Sequence, residues 1–323
     1  MIGMLGRRLL QLPIILLVIA VVTFSLAWAL PGSAVMNSEG RRPQPEVIAA
    51  MERQYNLDDP VKFFAGYLYN ATGARWALVK LGVDAGPAPA AVFDLGPCLR
   101  YKDWTVNELI GASLPVSIVL GGTAMVIAVV IGVAAGAIGA VRPGSLADAA
   151  TLSLALVGVS VPSFVVGTLL LMVFPVWLGW GAVGAWGRPI DIVLPAVTLS
   201  LPFAAYIARL TRLGMIEALG ADYVRTARAK GVPPSRIVLK HALKNAFLPV
   251  LSYLGPATAF AMTGSFVVER VFNVPGLGQH FVNAVQNKDL FVIMGVTLIF
   301  SAMLVVFNLI VDVLYRWVDP RIS

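Results

Sequence analysis

Two histidines, one cysteine and scattered carboxylates are the side chains of this 323-residue chain that could make or break bonds. Cys98 stands alone, which excludes a disulfide within the chain and a cysteine-cluster metal site. His241 and His280 suggest metal ligands, but each reads more simply as a hydrogen-bonding histidine. Asn308 and Asp312 are spaced i, i+4 in an apolar run, where a carboxylate relays protons or holds a structural hydrogen bond. No nucleophile is paired with a base and no carboxylate pair stands out, so no catalytic constellation is visible. There is no Gly-Lys dipeptide and therefore no GxxxxGK[ST] phosphate loop. If ATP drives this protein, another chain binds it. Asn70-Ala71-Thr72 matches a glycosylation sequon and is given no weight.

The elements that would position these residues are apolar. Hydrophobic residues make up 58% of the chain and charged residues 13%, against about 45–50% and about 25% in soluble domains. A bilayer-spanning helix needs about 20 apolar residues. Six runs qualify, at 9–30, 109–141, 149–174, 192–214, 245–268 and 290–316. The fourth is charge-free only over Ile192–Ala208 and carries Pro195 and Pro202, and the sixth is charge-free only over Leu290–Val311. The segment 175–187, rich in Gly and Trp, reads as an interfacial loop. Alternating segments of about ten residues, the mark of a membrane β-barrel, are absent. The fold class is therefore an all-α membrane protein with six transmembrane helices. The first run, 22 residues long, exceeds the about 7–15 residues of a signal-peptide core and reads as an uncleaved span. Gly132 and Gly136 predict close helix packing in the second span. Prolines 115, 162, 195, 202, 249 and 256 predict kinks or breaks.

Orientation follows from the connections. Arg7 and Arg8 place residues 1–8 in the cytoplasm. The connection after the fourth span then falls inside, with eight basic and two acidic residues over 209–244. The tail 317–323 is also cytoplasmic, and the whole +7 excess lies on that side. Topology thus accounts for the basic character, and no nucleic acid is invoked. His241 falls inside and His280 outside, so they cannot share an ion. Outside lie the insert 31–108, too small for a domain with its own large core, and the loop 269–289. The insert is a lid over the spans or a docking surface.

The inside connection, 215–244, is the informative one. Gly231 and Pro233-Pro234 break it into two helices. After the break, Leu239, Leu243 and Phe247 share one face, and Arg236, Lys240 and Lys244 form a basic row. Such a helix docks into a groove on another protein or lies on anionic headgroups.

Tyr223-Val-Arg-Thr-Ala-Arg-Ala-Lys-Gly231, His241-Ala-Leu243 and Leu248-Pro249 resemble the EAA loop of ABC-importer permeases, in its peptide-importer version. The general pattern of that loop has Glu-Ala-Ala where this chain has Arg225-Thr226-Ala227, as the peptide branch does. The resemblance runs nearly end to end. It includes Arg7-Arg8-Leu9-Leu10, Phe93 to Asp103, Pro162-Ser-Phe164, Thr263-Gly-Ser265, Val268-Glu269, Pro275-Gly-Leu-Gly-Gln279, Asn308 to Asp312 and Asp319-Pro-Arg321. Pro31-Gly32-Ser33-Ala34 lacks the Asp-Pro often seen after that Pro-Gly. The chain is similar to the B-type permease subunit of an oligopeptide or dipeptide ABC importer.

The resemblance implies a type I importer permease fold of the peptide branch, with a small external insert between helices 1 and 2. It implies a multi-pass protein of the bacterial inner membrane that is not itself an enzyme. The implied partners are a second, C-type permease, two ATPase subunits, a periplasmic or lipid-anchored peptide-binding protein, the peptide and membrane lipids. No cofactor is expected in this chain, because ATP and Mg sit on the ATPases. Coupling to them falls to Asp222, Arg225, Thr226, Ala227, Gly231, Arg236 and His241. The alternatives are an ABC permease for another cargo such as nickel, a proton-driven peptide transporter, or an intramembrane enzyme.

Overall fold

The computed structural model describes residues 2–31, 45–87, 89, 91–100 and 103–318; of 2–9, 45, 47 and 315–318 only the backbone is described. The motif residues Gly32-Ser33-Ala34, Tyr101-Lys102 and Asp319-Pro-Arg321 lie outside these. The described residues form helices joined by turns and irregular segments, with one isolated β-bridge between Pro97 and Thr105.

The helices are α1 (Ile2–Ala29), α2 (Pro45–Tyr55), α3 (Pro60–Ala71), α4 (Ala74–Lys80), α5 (Val106–Val141), α6 (Leu146–Ser160) and α7 (Ser163–Leu171). After them come α8 (Val193–Gly220), α9 (Asp222–Ala229), α10 (Pro234–Arg236), α11 (Leu243–Met262), α12 (Phe266–Phe272), α13 (Leu277–Gln286) and α14 (Leu290–Val318). Four stretches are long and apolar enough to cross a membrane unaided: Leu10–Ala29, Val106–Val141, Pro189–Gly220 and Leu290–Leu314. Counting each of two bent helix pairs as one span gives up to six among the described residues.

The chain forms two compact units. The first holds Met1–Pro115 and Leu277–Ala302. Its core gathers Phe63, Tyr67, Leu95, Leu109, Leu277, Leu290 and Phe291. Pro60 opens α3, where a missing N–H costs nothing, and Asp59 caps it by accepting from the N–H groups of Val61 and Lys62. The short helix α4 has no counterpart in the sequence expectation. Asp289 ties the segment after Pro97 to the start of α14: its carboxylate accepts from the Leu99 N–H at 2.9 Å and the Val292 N–H at 3.3 Å. Lys288 donates to the Leu30 carbonyl at 2.6 Å. The insert is thus packed onto helices of its own unit.

The second unit holds Val116–Gly276 and Met303–Ser323. Its core is made of α5, α8, α11 and α12 side chains, among them Leu120, Met125, Leu199, Ile207, Val250 and Phe272. Small residues let these backbones approach. A Cβ on Gly132 would stand 2.7 Å from the Ala204 carbonyl oxygen, and one on Gly136 would collide with that of Ala208. The GxxxG of α5 therefore packs on α8. Gly121 meets Ala261 of α11 in the same way.

The runs and the helices differ in several places. The third run, 149–174, is two helices bent by 99°. Pro162 sets the break, because it holds Val161 extended (φ −83°, ψ 123°) and cannot continue α6. The fifth, 245–268, is α11 and α12 bent by 47° at Thr263-Gly-Ser265. Gly264 is left-handed there (φ +95°), and Ser265 caps α12 by accepting from the Val268 N–H. The fourth extends beyond 214, so residues 215–220 of the expected loop continue α8. The loop 269–289 is mostly helix, in α12 and α13. Pro115, Pro202, Pro249 and Pro256 lie inside continuous helices.

Candidate functional site

The α8–α11 connection is built by one reversal. After α8, Ala221 is extended (ψ 153°), and α9 starts at Asp222. Helix α9 ends in a paired-bond cap: the Val232 N–H donates to the Ala227 carbonyl at 3.1 Å and the Gly231 N–H to that of Arg228 at 3.0 Å. This closure needs a left-handed residue, which Gly231 supplies at φ +72°. Pro233 and Pro234 then forbid further α9 and start α10. A π-helical turn, Ile237–Ala242, leads into α11.

Burial sorts the connection into two faces. Val224, Ala227 and Ile237 are buried together, with Leu219 and Val232 against them. That small core locks α9 to the end of α8 and to the far side of the turn. Tyr223 fastens the other flank, its hydroxyl accepting from the Asn245 side-chain amide at 2.9 Å. The opposite face is polar. Asp222, Arg225, Thr226, Arg228 and Lys230 are all exposed. Arg225 reaches Asp222 at 3.3 Å, and the Thr226 hydroxyl donates to the Asp222 carbonyl at 3.0 Å. An exposed pair of this kind is worth little energy and leaves both charges available to a partner.

The seven expected residues therefore divide. Asp222, Arg225 and Thr226 share the exposed face of α9. Ala227 lies under them in the small core, and Gly231 shapes the exit. Arg236 is exposed at the end of α10, and His241 is half-buried in the π-turn, both apart from the α9 group. Leu239, Leu243 and Phe247 line one apolar groove of about 760 Å³ with Val130, Val133 and Ala137 of α5. Lys240 and Arg236 stay exposed, so the two-faced character of this segment is present through the π-turn.

Two anchors of the helices around the connection carry little signal in the sequence. Arg212 of α8 makes a two-pronged bond to Asp148 of α6, at 2.5 Å and 2.7 Å, and the Gly144 N–H donates to the same carboxylate. The pair fixes the α5–α6 turn to the end of α8 that carries the connection. Its sequence signal is weak: one acid just before an apolar run and one base within the α8 end. Glu269 is fully buried in α12, where the Ser117 hydroxyl donates to it at 2.9 Å. A Cβ on Gly276 would collide with its carboxylate. A count of charge-free runs ends the fifth span at Val268 and so leaves Glu269 outside it.

His280 is partly buried in α13, near Asp289 and Arg100. Burial, and then the charge of Arg100, lower its pKa from the ordinary value. Among the described residues no group of three His, Cys, Asp or Glu side chains is placed to hold a metal ion.

Comparison with known proteins agrees with this architecture. Residues 112–323 match the family model described as the binding-protein-dependent transport system inner membrane component, and residues 1–120 match its N-terminal companion. The chain is 41% identical over 320 residues to the oligopeptide transport system permease protein OppB of Salmonella typhimurium, covering 98% of this chain and 97% of the relative. It is 40% identical over 309 residues to the dipeptide transport system permease protein DppB of Bacillus subtilis, covering 95% and 94%. Among solved structures, an inward-facing form of the MetNI methionine ABC transporter superimposes with a TM-score of 0.52 at 17% identity. That match covers 66% of this chain and 97% of the other, and it bears on the fold alone. With apolar helices, an anchored α8–α11 connection and a match over nearly its whole length, this chain belongs to the family of binding-protein-dependent transport system inner membrane components.

Proposed function

We propose that this chain is one permease of a two-permease importer that carries oligopeptides or dipeptides into the cytoplasm. Likeness along nearly the whole chain to oligopeptide and dipeptide permeases carries this reading. A peptide with charged termini cannot dissolve in hydrocarbon, so it needs a polar path between helices. The partners are a second permease, two ATPases that hold ATP and Mg, and a peptide-binding protein on the outer side. Both termini of the chain face the cytoplasm.

In this reading the exposed face of α9 meets an ATPase. What supports it is the division of labour in the connection. Val224, Ala227 and Ile237 make α9 rigid against α8, while Asp222, Arg225 and Thr226 project from the other side. A push on α9 is therefore passed to α8, and through the Arg212–Asp148 bond to α6. Gly231 keeps the exit from α9 in one shape. Arg236 and His241 border the same connection and complete the contact.

The test is co-purification of the tagged chain in mild detergent, followed by reconstitution with whatever co-purifies. The expected result is a second permease and ATPases in fixed stoichiometry, and ATP-dependent uptake of a labelled peptide once the binding protein is added. A chain that purifies alone and transports peptide under a proton gradient would overturn the reading.

A further inference from the structure

The insert forms a cavity against Phe291 of α14. It is about 280 Å³, framed by α2, α3, α4 and the segment around Asp94. Its walls are aromatic: Tyr55, Phe63 and Tyr67 all pack around Phe291, with ring centroids 5.5, 5.1 and 6.3 Å away. Tyr67, Arg75 and Asp94 are among the polar residues that line the cavity. Tyr67 is only 2% exposed, and its hydroxyl has no hydrogen-bond partner among the described residues. Leaving a buried hydroxyl unpaired is costly, so such groups call for an explanation. Among the described residues Arg75 bonds only neutral oxygens, the Asn70 amide at 3.2 Å and the Pro87 carbonyl at 3.3 Å. Asp84, which feels the Arg75 charge, is itself held by the Tyr69 hydroxyl and the Gly86 N–H. Asp94 accepts from the Gly96 N–H at 2.9 Å and, among the described residues, pairs with no cation. Lys62 at the cavity is already taken by Asp59 at 3.0 Å.

We propose that this cavity binds a short peptide with free termini: Tyr67 and Arg75 take the carboxylate, Asp94 takes the ammonium, and the aromatic walls take a side chain. A guanidinium and a phenol hydroxyl are both donors, and together they match a carboxylate. An acid in the same small cavity matches a cation. A partner protein presenting one acidic side chain would leave Asp94 facing it uncompensated, so a zwitterion fits better. The volume lies just under the about 300–1,000 Å³ of drug-sized pockets and suits one or two residues. The choice of a peptide among zwitterions rests on the import reading. The site lets the permease sense peptide without its binding protein.

The test uses the full-length chain in lipid nanodiscs, without binding protein, titrated calorimetrically with the dipeptide Ala-Phe. Wild type binds; the C-terminal amide binds at least about tenfold more weakly, as loss of a charged hydrogen bond requires. Tyr67→Phe and Arg75→Gln each lose about tenfold. Asp94→Asn weakens binding and no longer distinguishes the N-acetylated dipeptide. Tyr67→Phe also melts no lower than wild type, since it removes only an unpaired hydroxyl. No binding by wild type up to about 1 mM overturns the proposal. Equal affinity of wild type and the first two variants, or of the free acid and its amide, overturns it too. If the assembled importer takes up Ala-Phe while these binding results fail, the site falls and import stands. If binding behaves as expected while the assembled importer moves no peptide, the site stands and the import reading falls.

Discussion

Gly231 is the residue whose substitution separates shape from contact. Its Cβ direction is open space, so a side chain there meets nothing, and the cost is backbone strain alone. A left-handed L-residue costs roughly 1–2 kcal/mol, and Asn tolerates that region better than most. Gly231→Asn should therefore keep peptide-stimulated ATP turnover near wild type. Gly231→Pro cannot reach φ +72° and loses the N–H that bonds Arg228. It should insert into the membrane normally yet abolish that turnover; unimpaired turnover would refute the role given to this cap. His280 makes a second prediction. Its lowered pKa means that the folded chain holds fewer protons than the unfolded one below the ordinary value of 6.5. The stability it contributes is full above 6.5 and is lost as pH falls through the depressed folded value. Thermal unfolding from pH 7.5 to 5 should therefore fall more steeply for wild type than for His280→Gln. Parallel curves would show that His280 is not titrating this way.

At the scale of elements, the Arg212–Asp148 bond and the α5–α8 seam hold the end of α8 that carries the connection. Asp148 is 3% exposed, so removing one partner strands the other away from water. Arg212→Ala, which leaves the Asp148 carboxylate buried and unpaired, should therefore lower the unfolding temperature more than the double variant Asp148→Ala, Arg212→Ala. Arg212→Lys should not rescue, because an ammonium cannot make the two-pronged bond. Additive losses would argue against the pair. On the seam, Gly132→Ala forces a methyl into the Ala204 carbonyl. Overpacking of this kind costs about 1–3 kcal/mol, readable as a lower unfolding temperature in nanodiscs. These elements were partly legible. Gly132 and Gly136 announced the seam because close backbone packing leaves only glycine as a solution. Pro162 does break its run as a proline can, but the sequence does not say which of the prolines does so, since Pro249 and Pro256 sit in helix α11 without breaking it. Whether a proline kinks, breaks or is absorbed depends on what satisfies the freed carbonyl, and that is a neighbour's property.

For the whole molecule, the basic excess of the connection after α8 sets the expected orientation. It is checked with a membrane-impermeant thiol reagent on intact cells, in a Cys98→Ser background. Lys80→Cys in α4 should label directly, and Lys230→Cys only after permeabilisation. The reverse pattern would invert the topology and remove α9 from reach of a cytoplasmic ATPase. The native Cys98 is 5% exposed and should label in neither state.

The sequence by itself determined the class of the molecule. Long charge-free runs admit few structures but membrane helices, since hydrocarbon leaves every backbone group to be satisfied within its own segment. It also determined where α9 must stop, because Gly231 and Pro233-Pro234 forbid anything else. Only the tertiary structure decided which polar residues work together. Arg212 and Asp148 stand 64 positions apart, and Ser117 and Glu269 152. Tyr67, Arg75 and Asp94 lie on three different segments. Such partnerships depend on how helices pack, and packing is set by side-chain shape over the whole core, which no local spacing encodes.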